Sequence, residues 1–191
     1  SEKFNRLNYP KAVYHKMTLG FDYLMSYLGD SLFDACINNY YEAWKYKHPE
    51  PADMHKAFSQ TTAKDLNWFF TDLIFSTKKI DYSITSLNKN ENSYSLELKN
   101  KNEISAPLSI SALKNGEIQS TSWTEGFSGK KTIELSCDQC DEFRIDAVER
   151  MPELYRNNNT IRTGGMLRRV EKLQIGFPAG KKDPSRTQRF F

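Results

Sequence analysis

An α+β fold, a bundle of antiparallel helices followed by an antiparallel β-sandwich, is predicted for this chain of 191 residues by a change of hydrophobic period near Lys78. Before that point apolar residues recur every three or four positions, and after it they alternate with polar ones. A third observation is Lys114-Asn115-Gly116-Glu117, lying between two alternating runs. Asn-Gly accepts the two positive φ values of a type I′ turn, so it marks a hairpin.

The helices follow in order. Val13, Met17, Phe21, Leu24 and Leu28 form the stripe of a helix with one buried face, and Gly29 stops it at the C′ position. Asp30 or Ser31 is then placed to cap a second helix carrying Phe33, Ile37, Tyr40, Tyr41 and Trp44, which ends before Pro49. After Pro49-Glu50-Pro51, Asp53 stands near the start of a short third helix with Met54, Ala57 and Phe58. Asp65 opens a fourth, Leu66 to Ile74. Short connections between four helices imply antiparallel neighbours.

The strands come next. Ile80, Tyr82 and Ile84 alternate with polar residues, as do Tyr94, Leu96 and Leu98, then Leu108, Ile110 and Ala112, and later Phe143, Ile145 and Ala147. Asn157-Asn158-Asn159 reads as a turn, Val170 to Phe177 as a further strand, and 179–189 as an exposed loop. The chain stops at Arg189-Phe190-Phe191, which reads as a strand cut short. The domains are therefore expected at residues 1–78, helical, and 79–191, a β-sandwich truncated at its C-terminus. Their interface is expected to use Trp68, Phe69, Phe70 and Phe75, whose combined apolar area exceeds what one helix buries in a small bundle.

Composition bounds the function. A hydrophobic content of 38% with 13% aromatics supports a real core. No run of about 18 apolar residues exists, so no membrane span is expected. From Arg156 to Phe191 nine Lys or Arg stand against Glu171 and Asp183, while the net charge of the whole chain is only +3. Such a basic tail suits an acidic partner, a membrane surface or nucleic acid. It lacks the interleaved aromatics of a base-stacking platform, which argues against nucleic acid.

Metal-ligating and nucleophilic residues are few. His15, His48 and His55 include no pair four apart, so the chain contains no H-E-x-x-H zinc helix. Cys36 falls on the apolar side of a helix as a small hydrophobe. Cys137-Asp138-Gln139-Cys140 is a lone C-x-x-C in a loop between strands, short of ligands for structural zinc. It is read as two free thiols, or as a tight turn disulfide if the parent is exported. Asp65 and Asp72 do not straddle a substrate, and Asp138, Asp141, Glu142 and Asp146 match no EF-hand spacing, reading as a solvated acidic loop.

One segment carries more. Tyr9-Pro10-Lys11-Ala12-Val13-Tyr14-His15-Lys16 leads into the first helix and on to Leu28-Gly29, and Asp65-Leu66-Asn67-Trp68-Phe69-Phe70 opens the last. This arrangement resembles the segment that follows the zinc site in the aminopeptidase N family of gluzincin metallopeptidases. The family often has Tyr-Glu-Lys-Gly where this chain has Tyr14-His15-Lys16-Met17.

The resemblance implies that the helices are the C-terminal part of a thermolysin-like catalytic domain and that the strands form an immunoglobulin-like sandwich. It implies that Tyr14 is catalytic, donating a hydrogen bond to the oxyanion formed when zinc-bound water attacks a peptide carbonyl, and that Tyr9 lines the substrate cleft. Zinc is then the cofactor of the full-length parent, with its ligands upstream of Ser1 and none expected in this chain. The partners implied are a peptide substrate and the upstream half of the catalytic domain. The chain alone is expected to be inactive. Lys16, too basic for a general base, is expected in a structural salt bridge. A different class of reading is an autonomous, non-catalytic module that presents its basic surface to a protein or glycan.

Overall fold

The computed structural model describes residues 14, 16–91, 93–153 and 155–164. Tyr9, His15, the strand expected at Val170 to Phe177 and the end of the basic tail lie outside these residues. The described part is α+β, with helices first and two antiparallel sheets after them.

Helix α1 spans Lys16–Leu28 and α2 spans Asp30–Trp44, joined through Gly29 alone. Gly29, at φ 79°, serves both: its N–H donates to Met25 O at 2.8 Å, and its carbonyl accepts from Phe33 N at 3.0 Å. No side chain caps α2 there, so Asp30 is its first residue and not its cap. Helix α3, Pro51–Thr62, starts with a capping box in which Glu50 and Asp53 exchange side chain and backbone bonds, with Pro51 in the first turn.

The fourth helix, Trp68–Ile74, is a π-helix. Its wider turn reduces the angle between successive side chains, which lets Trp68, Phe69 and Phe70 all be buried. The helical core forms where Phe21 meets Phe33, Phe58 and Phe69 edge-on at centroid distances of 6.2, 6.3 and 5.2 Å. His55 stacks on Phe70 at 4.7 Å, a packing role. Asp65 accepts from Asn67 N at 2.9 Å as the helix opens, and Asp72 pairs with Lys78 at 2.6 Å.

The strands are β1 Tyr82–Lys89, β2 Tyr94–Asn100, β3 Leu108–Lys114, β4 Glu117–Thr124, β5 Lys130–Leu135, β6 Glu142–Ile145 and β7 Thr160–Arg162. One sheet has the order β1-β2-β5 and the other β4-β3-β6-β7. Asn115 and Gly116, at φ 53° and 83°, make the β3–β4 hairpin as their sequence requires. Strand β3 is buried along nearly its whole length, Ser109 and Ser111 included, where the sequence pattern predicts one wet face. Small serines fit that second face, and Ser111 shares a 2.8 Å hydrogen bond with Thr121 of β4. Strand β4 is the reverse, exposed along seven of its eight residues at the edge of its sheet.

Helices and sheets meet through tyrosine and tryptophan. Tyr23, 1% exposed, donates its hydroxyl to Pro107 O, and its ring lies 5.4 Å from Trp68 and 6.3 Å from Trp123. Tyr27 contacts the same two tryptophans, and its hydroxyl donates to Glu125 at 2.8 Å while accepting from Lys64 Nζ at 3.0 Å. Of the four aromatics expected at this junction, Trp68 packs against these tyrosines. Phe69 and Phe70 face the helical core, and Phe75 is 61% exposed. Phe75 is the residue that caps the helix, past its last turn at Ile74.

Candidate functional site

Tyr14 stands two residues before α1, with 61% of its surface exposed. Its carbonyl accepts from Thr18 Oγ1 at 2.8 Å, joining it to the first helical turn. The opposite side of α1 is fixed, since Gly20, Tyr23 and Leu24 are buried.

Lys16 anchors the same turn. Its Nζ donates to the carbonyls of Ile74 at 3.2 Å and Ser76 at 3.0 Å, at the C-terminal end of the π-helix. The expected salt bridge is therefore a carbonyl cap: a cation at a helix C-terminus meets the negative end of the backbone dipole and the orphan acceptors left there. Partial burial lowers its pKa from the usual lysine value. Lys16→Met keeps the apolar stem but leaves both carbonyls without this donor, and is expected to cost about 1–2 kcal/mol, read as a lower urea midpoint. Lys16→Arg should recover most of it, and a midpoint unchanged in Lys16→Met would remove the anchor.

A second constellation lies where the sheets approach each other. Glu153, 1% exposed, accepts from Tyr82 N at 2.7 Å and from the Asn159 side-chain amide, and forms an isolated parallel bridge with Ile80. Burial pushes its carboxyl up to about 8 against the pull of those donors and Arg156, with Asp81 adding to the rise. Asp146, 3% exposed, accepts from Arg150 N, Met151 N and Arg156 Nη1 at 3.1, 2.8 and 2.8 Å. The acidic run expected as a solvated loop is thus partly interior. Asp146 and Glu142 are buried, and Asp141 bonds Asn115 N at 2.9 Å. Asp146 is satisfied by residues four, five and ten positions on, whereas the Asp141 partner lies 26 positions back, where spacing carries no signal.

Among the described residues no group of three or more His, Cys, Asp or Glu side chains converges to hold a metal ion, and no helix is long and apolar enough to cross a membrane. The described residues do not by themselves fit a zinc centre. Large apolar side chains remain exposed on the helices, with Leu19 of α1 at 42% and Ile37 and Tyr41 of α2 at 37% and 59%. The helical period marks these α2 positions as a face to be covered, yet both are exposed.

No family model matches the chain, and no curated protein matches its sequence. Among solved structures it is similar to Legionella pneumophila aminopeptidase A, determined in complex with aspartic acid, with a TM-score of 0.60 and 16% identity. The match covers 74% of this chain and 18% of that one. At this identity the likeness is one of fold, and the chain spans less than a fifth of the aminopeptidase.

Proposed function

We propose that this chain is the C-terminal portion of a zinc-dependent, aminopeptidase-like metallopeptidase that hydrolyses peptide bonds, and that it is inactive alone. Residues 1–78 are then the helical subdomain of the catalytic domain, and residues 79–191 an immunoglobulin-like sandwich. The observation that carries the reading is an exposed Tyr14 on a rigid mount, 61% accessible while Lys16, two residues on, is bonded to the π-helix end. The fold likeness to an aminopeptidase agrees with it. So does the strand order, which is that of strands A-B-E and C′-C-F-G in an immunoglobulin-type sandwich.

In this role Tyr14 aims a phenol O–H at the oxyanion that develops as water adds to the peptide carbonyl. A preorganised donor of this kind contributes about 10²- to 10³-fold in rate. Tyr9 lines the substrate cleft. The zinc ligands belong to upstream residues, and the exposed Leu19, Ile37 and Tyr41 are surface that the upstream half of the domain covers.

The test is a peptidase assay on the chain extended upstream in its natural reading frame. Hydrolysis of aminoacyl 4-nitroanilides, abolished by 1,10-phenanthroline and restored by zinc, is the expected result, with none from the 191-residue chain by itself. An extended chain without chelator-sensitive hydrolysis would refute the proposal.

A further inference from the structure

Cys137 and Cys140 occupy the bend that carries the chain from β5, in the three-stranded sheet, to β6, in the four-stranded one. Each end of the bend belongs to a different sheet. Cys137 lies two residues past the end of β5, after Ser136. Cys140 is held on the other side: its carbonyl accepts from Thr163 Oγ1 at 3.1 Å, and the next residue, Asp141, donates its N–H to Leu113 O of β3 at 2.9 Å. The Cys137 and Cys140 side chains are neighbours, and both pack against the hydrophobic core. Cys36, the third thiol, is wholly buried within α2.

We infer that Cys137 and Cys140 form a reversible dithiol–disulfide couple, a redox staple fastening the two sheets at their crossover. Nothing in the proposed peptidase chemistry uses these residues. A tight bend with the two side chains already neighbours requires little backbone movement to close.

The natural oxidant class is a small dissolved disulfide such as oxidised glutathione. Cys137, half-buried, is the sulfur it can reach. The Cys137 sulfur attacks one glutathione sulfur as its thiol proton passes to solvent, breaking the S–S bond and releasing one glutathione thiolate. Cys140 then attacks the Cys137 sulfur of the mixed disulfide as its proton passes to the glutathione thiolate released in the first step, and the second glutathione is expelled as a thiolate. Two protein thiols lose two electrons and one dissolved disulfide gains them. Cys140 is buried and Cys137 only half-buried, which sets the order of attack by access, and burial with the neighbouring Cys137 also pushes the Cys140 thiol up, to about 12.

The experiment equilibrates the full chain in oxidised and reduced glutathione buffers, quenches with acid, alkylates with N-ethylmaleimide and maps peptides by mass. With excess oxidised glutathione the peptide holding Cys137 and Cys140 should be lighter by two hydrogens and unalkylated, reverting on dithiothreitol. Cys36 should label only in denaturant. Oxidation should raise the thermal midpoint by on the order of 4 °C, from the closed loop and the size of the folded unit. Cys137→Ser should abolish both the mass change and the midpoint shift, and Cys140→Ser should stop at a glutathione adduct on Cys137. The inference is overturned by thiols that stay free in excess oxidised glutathione, by a wild-type adduct that never closes, by pairing with Cys36, or by closure that leaves the midpoint unmoved.

Discussion

Tyr14→Phe in the extended, active chain should lower kcat and kcat/KM together by on the order of 10²-fold, with KM nearly unchanged. The substitution keeps the ring and removes only the O–H. A donor that engages a charge present in the transition state, and absent from the bound substrate, affects the rate and not ground-state binding. Stability should move by less than about 1 kcal/mol, since the side chain is 61% exposed and its hydroxyl can exchange one partner for water. Steady-state kinetics with an urea titration of the same samples separate the two effects. An active enzyme indifferent to the change would return Tyr14 to a packing role.

The second large effect is a pH dependence of stability centred on Glu153. The folded state holds its carboxyl at about 8 against an ordinary 4.5, so between these values the folded chain binds a proton that the unfolded chain has released. Stability contributed by the neutral form is complete below about pH 4.5 and is lost as pH rises towards 8. The loss is on the order of 5 kcal/mol when complete. Glu153→Gln stays neutral throughout. Its unfolding free energy should match the wild type at pH 4.5 and exceed it progressively up to pH 8. Parallel pH profiles for the two proteins would show that Glu153 ionises without penalty, its charge carried by Tyr82 N–H, Asn159 and Arg156.

The order of helices and strands was legible because period is a local property. Asn115-Gly116 specified its turn from two residues, and the tryptophan and phenylalanines after Asp65 announced a buried helix. That the helix is π and not α depends on which carbonyl each N–H selects, a choice the surrounding packing makes. Two strands left little trace. Lys130–Leu135 carries only Ile133 and Leu135 as large apolar residues, because it is a sheet edge, and Thr160–Arg162 has three residues in all. In α2 the stripe of Phe33, Ile37, Tyr40 and Tyr41 identified a face, but period cannot say whether a neighbour covers it, and Ile37 and Tyr41 stay exposed. Tyr14 and Lys16 stood out through resemblance and not through any pattern of their own. The contact of Lys16 with Ile74 spans 58 positions, and that of Glu153 with Tyr82 spans 71, distances over which spacing carries no signal.

The hydroxyl of Tyr23 finds its acceptor 84 positions later, at Pro107, and the indole of Trp123 closes over the same ring from further still. During synthesis from the N-terminus the helices therefore leave the ribosome before the sheets that bury their aromatic side. Helical contacts are local and form quickly, whereas strand pairings that reach across dozens of residues form slowly. For that interval Tyr23, Tyr27 and Trp68 face solvent on a nascent domain, a sticky surface of the kind that chaperones hold until the rest of the chain arrives.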